Sequence, residues 1–502
     1  MPTDSKSADP LNTEHLKGDL RGRSLRGGLL TLTSQGTQFF LQLIFTVVLA
    51  HLLTPADFGL VAMVTAVTSL GQAFADLGLS EATIQRQEIT HDQVSVLFWI
   101  NLMIGAGLTL ITASIAPLLA WFYREPRLVM IALVLSPTFL IGGLRVQPDA
   151  LLKRQMRYKS LAYRDVAAYA FATLTAVIMA WRGFGYWSIV AFPLTVNLTV
   201  MTLSWLMVGW RPSLPRRGAR VREMVVFGGH VAASYLIDTL NRNFSNIAIG
   251  WYWGASPLGL FSRAYNLLMR PVTQLTGPAA GVAIPAFSRI SAEPERFARY
   301  YLRGAGLLMW ISAPIFGFLF VVAKPVVILV LGHRWEEAAP VFQILAVSAL
   351  AQPLLQSASW VLVSRGHSDR LLKLSLITSP IIVGSFLLGL PFGIKWVAAS
   401  YSIVLLAALP WILRYSFRGT NITLRGLGKA LVYPVTPCLA GVIVAELSMR
   451  FVDPTRMVSE FLVAILSFAA TYSLSVLIPS AREELVALKR LSSELRLFGQ
   501  TT

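Results

Sequence analysis

The residues of this sequence most able to do chemistry are charged and amide side chains set inside long apolar runs. Asp238 and Arg242 stand four residues apart, and Arg263 and Arg270 seven apart, so each pair shares one face of a helix. An ionised group near the middle of a bilayer costs at least about 2.5–3.5 kcal/mol unless it faces water or a partner. These groups together therefore call for a hydrated cavity. Asn241, Asn243 and Asn246 would add polar surface there, suited to sugar hydroxyls. Arginine presents a planar fork of donors, the geometry that anionic oxygens require. The competing reading is a structural ion pair, Asp238 with Arg242 or with an arginine of the next helix, that fixes helix register.

A second set lies nearer the ends of apolar runs. Arg145 and Asp149 are four apart, where long side chains can reach lipid headgroups. Asp76 and Glu81 are placed to form a gate with Arg86 or Arg154, and they are candidates for proton or sodium coupling. An acid at a membrane edge is also often simply solvated. Trp251, Tyr252 and Trp253, like Trp121, Phe122 and Tyr123, read as interfacial anchors. Prolines inside spans, among them Pro137, Pro271, Pro278 and Pro353, break backbone hydrogen bonds and permit bending.

The elements that must position these groups follow from composition. The chain has 502 residues, 55% of them hydrophobic and 14% charged, and its mean hydropathy is +0.61. A typical soluble domain carries about 25% charged residues, so lipid is the expected solvent. In hydrocarbon only helices and closed barrels satisfy every backbone amide and carbonyl. Continuous apolar runs of about twenty residues exclude the barrel, whose strands alternate in polarity. The expected fold is an all-α polytopic membrane protein of about fourteen transmembrane helices. They are expected over 27–53, 55–79, 93–123, 127–151, 160–181, 185–208, 222–250, 255–288, 297–323, 338–363, 371–391, 394–416, 427–450 and 457–478.

The formal net charge of +18 sits mostly on alternate connections, including Arg21, Arg23, Arg26, Lys153, Arg154, Arg157, Arg216, Arg217 and Arg220. The positive-inside rule turns this into an orientation with both termini cytoplasmic. It also removes any need for a nucleic-acid partner, leaving anionic lipid headgroups as partners of those loops. Residues Met1 to Asp19 are polar and no cleavable signal peptide is expected. The organisation reads as a cytoplasmic segment over 1–26, a lobe of six helices over 27–208 and a basic linker over 209–221. A second six-helix lobe follows over 222–416, then two further helices over 427–478 and a cytoplasmic amphipathic tail over 479–502. The single cysteine, Cys438, falls inside an apolar run and excludes a disulfide scaffold.

A shift of about 200 residues superposes the two lobes. Thr54-Pro-Ala-Asp-Phe-Gly-Leu60 falls on Gly254-Ala-Ser-Pro-Leu-Gly-Leu260, and Leu135-Ser-Pro137 corresponds to Val347-Ser-Ala349. Six helices intervene, so the repeat is parallel and implies a pseudo-twofold axis along the membrane normal, with a substrate site between the bundles.

Three stretches carry a resemblance: Leu53-Thr-Pro-Ala-Asp-Phe-Gly-Leu-Val61, Ala150-Leu-Leu-Lys-Arg-Gln-Met-Arg-Tyr-Lys159, and Pro257-Leu-Gly-Leu-Phe-Ser-Arg-Ala-Tyr-Asn-Leu-Leu268 with the later Ile284-Pro-Ala-Phe-Ser288. In their order and spacing the chain resembles the Wzx-type polysaccharide transporters, within the superfamily that also holds multidrug and toxin extruders and lipid II flippases. The resemblance implies translocation of an undecaprenyl-diphosphate-linked oligosaccharide from the cytoplasmic to the periplasmic leaflet of a bacterial inner membrane, by alternating access. For such a substrate the donor forks of Arg242, Arg263 and Arg270 are the expected partners of the lipid pyrophosphate or an anionic sugar; a monomer with no cofactor, working with polymerase or export proteins, is expected.

Other classes fit less well. No Gly-x-x-x-x-Gly-Lys-Ser/Thr loop is present, and Arg425-Gly-Leu-Gly-Lys429 has the wrong spacing. The six histidines show no metal-ligand spacing. A membrane-embedded glycosyltransferase or polymerase would need an acidic cluster such as Asp-x-Asp or a sizeable external loop. A lipid II flippase or cation-coupled exporter remains the nearer rival, although arginines in a cavity favour an anionic substrate over a cationic drug.

Overall fold

The computed structural model describes residues 20–75, 78–86, 89–214, 239–240, 243–451 and 457–475. Asp76, Asp238, Asn241 and Arg242, most of the basic linker and the amphipathic tail lie outside the described residues. The described residues form helices and short connections, and ten of the helical segments are long and apolar enough to cross a membrane. Each of the fourteen expected spans contains helix, the seventh only over its later part among the described residues. Outward faces stay apolar, as at Met103, Leu206, Ile403 and Leu466, each more than 60% exposed. Such surface is tolerable in lipid and a liability in water. Trp121 and Trp181 stand exposed at helix ends, in the positions of an aromatic belt.

The chain divides into two compact units, 1–259 and 260–502. The first contains α1 (Leu20–Leu52), α2 (Pro55–Ala75), α3 (Leu79–Gln85), α4 (His91–Tyr123), α5 (Arg127–Leu135), α6 (Pro137–Arg154), α7 (Tyr158–Trp181), α8 (Trp187–Val208), α9 (243–253) and the first turn of α10 (Ala255–Arg289). Here α7 packs against α1 and α8, and α6 against α4 and α8. Leu97, Phe98, Leu151, Leu152, Val208 and Trp210 form an apolar core at one end. The span expected over 127–151 is two helices meeting at Ser136, because Pro137 has no N–H to continue the ladder. Ser136 Oγ donates back to the Leu133 carbonyl at 3.0 Å, and its counterpart in the repeat, Ser348, does the same to Leu345 at 2.7 Å.

The repeated Thr54–Leu60 motif has a structural role. Thr54 caps α2: its N–H and hydroxyl both donate to Asp57 Oδ2, at 2.9 and 2.6 Å, and the Asp57 N–H returns to Thr54 Oγ1 at 3.3 Å. With Pro55 at the first helical position this is a capping box. One turn on, α2 crosses the start of α10 backbone to backbone. A Cβ on Gly59 would collide with the Ala255 carbonyl, and a Cβ on Gly259 with the Pro55 carbonyl. Only glycine permits either approach.

The second unit holds the rest of α10 with α11 (Pro294–Val321), α12 (Ala323–Leu331), α13 (Ala338–Ser364), α14 (Ser368–Gly389), α15 (Ile394–Ser416), α16 (Leu424–Met449) and α17 (Met457–Ser475). Helix α11 packs against α13 and α16, α15 against α13 and α14, and α17 against α16. Cys438 is buried in this core and its thiol donates to the Ala313 carbonyl at 3.0 Å. Helix α12 is a short apolar helix in a stretch that the sequence pattern leaves as a connection.

Candidate functional site

In the second unit α10 carries Arg263 and Arg270 two turns apart, about 10 Å along the axis. Both side chains are half-buried, and they are close enough for the charge of one to act on the other. Helix α10 is not one of the ten helical segments long and apolar enough to cross a membrane, and two like charges within reach of each other on one helix are an arrangement suited to a multivalent anion. Beside them on α10 is a neutral polar group that sequence spacing does not reveal. Tyr265 is hydrogen-bonded to Tyr401 of α15, and Tyr401 also accepts from Gln352 Nε2 of α13 at 3.0 Å. Tyr265 in turn stacks on Phe261, with centroids 6.3 Å apart. Asn246 is half-buried on α9, in the first unit.

The first unit holds a second charged cluster, within the membrane-spanning helices. Arg164 of α7 is the hub, with its side chain only 6% exposed. Its Nη1 donates to Asp149 Oδ1 of α6 at 2.5 Å and to Ser204 Oγ of α8 at 2.8 Å. Ser204 Oγ donates to the same Asp149 oxygen at 2.6 Å, and Arg164 Nε donates to Asp165 Oδ1 at 2.8 Å. Arg145, four residues before Asp149 and expected to reach for headgroups, makes a longer ion pair with it at 3.9 Å. The network thus joins three helices through a hub that spacing within one helix does not expose. The visible signal was an Arg164-Asp165 pair inside a run that must span the bilayer.

Arg154 closes the cytoplasm-facing end expected for α6. It is buried, and its Nη1 donates to the backbone carbonyl of Thr83 at 3.0 Å and to that of Arg86. Thr83 Oγ1 donates to Gln147 Oε1 at 2.9 Å, so the short helix α3 is fastened to α6 twice. Glu81 is exposed on α3. At the opposite end of the first unit, Glu125 between α4 and α5 makes a two-point contact with Arg127, at 2.8 and 2.9 Å. The guanidinium holds that carboxyl below its ordinary range. Among the described residues no group of histidine, cysteine and acidic side chains is placed to hold a metal.

The sequence matches the family described as "Polysaccharide biosynthesis protein" over residues 48–340. The chain belongs to this family. It is 26% identical to the teichuronic acid biosynthesis protein TuaB of Bacillus subtilis (strain 168) over 367 residues, covering 69% of this chain and 73% of that one. Identity to the lipopolysaccharide biosynthesis protein WzxC of Escherichia coli (strain K12) is 24% over 376 residues, covering 74% and 76%. Among solved structures the fold is similar to that of the lipid II flippase MurJ in an inward closed conformation. The TM-score is 0.70 at 12% identity, over 90% of this chain and 99% of that one. At that identity the likeness speaks for the fold of this polysaccharide biosynthesis protein and not for its substrate.

Proposed function

We propose that this protein is a flippase that carries undecaprenyl-diphosphate-linked oligosaccharide repeat units across the membrane for polysaccharide biosynthesis. It is a transporter and not an enzyme, embedded in the membrane by many helices. The observation that carries the reading is the Arg263–Arg270 pair on one helix of a many-helix family member, because a diphosphate linked to a sugar needs cationic forks to cross the bilayer. Arg242, Asp238 and Asn241 are proposed to complete the binding surface, with Asn246. The basic connections support a reading with both termini in the cytoplasm of a bacterial inner membrane, and in that reading transport runs from the cytoplasmic to the periplasmic leaflet by alternating access. Proton or sodium coupling would act through acids such as Asp149, Asp76 or Glu81, and the protein would work as a monomer beside polymerase and export proteins.

The test is translocation of a radiolabelled undecaprenyl-diphosphate oligosaccharide in everted vesicles, at equal protein levels. Wild type transports. Arg263→Gln and Arg270→Gln each lose about tenfold or more, the worth of one charge-assisted hydrogen bond. Transport of lipid II in preference to the repeat unit would reassign the substrate, and unimpaired variants would remove the arginines from the site.

A further inference from the structure

Helices α10, α11 and α13 enclose a partly open slot of ≈ 230 Å³ in the second unit. Its walls are hydrocarbon and aromatic, with Val282 and Phe287 from α10, Leu308 from α11 and Trp360 from α13. The hydroxyls of Tyr301 and Ser357 in the wall bond to each other at 3.0 Å, and Ser357 also donates to the Leu354 carbonyl at 2.8 Å. Those polar atoms are satisfied among themselves, so the slot suits an alkyl chain.

One end has the opposite character. Tyr300 lines the slot, and the Arg296 guanidinium lies over its ring, 5.7 Å from the centroid, and pairs with Glu293 at 3.2 Å. Arg303 is exposed next to Gly304, another wall residue, and Arg299 and Arg289 are exposed on the same end of α11 and α10. An apolar slot within a bilayer, with several cations at one end, matches an amphiphile with a hydrocarbon chain and an anionic head.

Two such lipids are at hand, the transported carrier and the bilayer's own anionic phospholipid. The wall residues Ala279, Val282 and Ala286 lie roughly 100–180° around α10 from Arg263 and Arg270. A diphosphate held by those two arginines would have to send its tail around the helix to enter. We propose that the slot binds an anionic phospholipid of the membrane, one acyl chain inside it and the phosphate at Arg296 and Arg303.

The lipid is tested on the full-length protein in nanodiscs of phosphatidylcholine and phosphatidylglycerol, using phosphatidylglycerol with a photoreactive diazirine in one acyl chain. Cross-links are mapped by peptide mass spectrometry. Wild type should label residues 279–308 from the phosphatidylglycerol probe, with unlabelled phosphatidylglycerol competing about tenfold better than phosphatidylcholine. A Cβ on Gly304 would sit 4.0 Å from Phe287 Cζ. Gly304→Ala should therefore keep labelling, and Gly304→Phe should fill the slot and lose it. Arg303→Gln alters an exposed side chain that no packing depends on, and with Arg296→Gln it should abolish the preference for phosphatidylglycerol. Equal competition by the two lipids in wild type, labelling that survives Gly304→Phe, or stronger labelling by a photoreactive undecaprenyl diphosphate would each overturn the proposal. None of these readouts depends on transport, so they leave the flippase reading standing or falling on its own.

Discussion

Replacing Arg164 by alanine should be among the most damaging single changes in the first unit. The Asp149 side chain is 16% exposed, and its Oδ1 receives the Arg164 guanidinium at 2.5 Å and the Ser204 hydroxyl at 2.6 Å. Without Arg164 the nearest described cation is Arg145, whose 3.9 Å separation is too long for a hydrogen bond. Asp165, paired to Arg164 at 2.7 Å, loses its partner in the same step. Removing one member of a buried pair costs about 3–5 kcal/mol, mostly the penalty of the charge left behind. Asp149→Asn is milder, at about 1.5–3 kcal/mol, because Arg164 keeps Asp165 and the amide oxygen can still accept from Arg164 and Ser204, without the charge that strengthens both bonds. The double variant Arg164→Ala, Asp149→Asn should then cost less than the sum, by at least about 1 kcal/mol of coupling. Equilibrium unfolding of the four proteins in detergent micelles measures all of these values. An Arg164→Ala cost below about 1 kcal/mol, or strict additivity, would refute the view of Arg164 as the buried hub.

Two further outcomes follow from local geometry. Gly59→Ala forces α2 away from the Ala255 carbonyl, an overpacking of about 1–3 kcal/mol. If the crossing opens during transport, that energy favours the opened form by about 5–150-fold, raising thiol labelling of a Leu258→Cys probe, which is buried while the crossing is closed. Unchanged labelling with a lowered melting temperature would instead make the crossing a fixed joint. The Glu125–Arg127 pair stabilises only while Glu125 is ionised. Because its folded pKa lies below the ordinary 4.5, its contribution is present above that value and disappears as pH falls through the lower one. Glu125→Gln should therefore lower the melting temperature slightly at pH 7, by the equivalent of no more than about 1 kcal/mol for so exposed a pair, and match wild type in strong acid.

The helices apolar enough to span a bilayer were legible because it demands about twenty such residues in a row, and Pro137 marked where the ladder of its helix is interrupted. That Arg263 and Arg270 share one helix was legible too, since their spacing lies within one element. Arg164 was not: Asp149 lies fifteen residues away on another helix and Ser204 forty, so only packing brings them together. Its spacing to Arg145 suggested side chains reaching for headgroups, whereas in the structure Asp149 is held by α7 and α8. Helices α3 and α12 escaped because seven and nine residues give no periodicity long enough to read. The Tyr265–Tyr401–Gln352 group shows the same limit, three common residue types from three helices.

The α2–α10 crossing also bears on how the chain tolerates substitution. Its contacts are reciprocal, residue 59 with 255 and residue 259 with 55, the pattern a twofold between identical subunits produces. In a dimer of identical chains one codon would govern both sides of such a contact. Here the two glycines are separate positions of one chain, so a change at either leaves the other close approach in place, and the same steric demand is met at two independent sites.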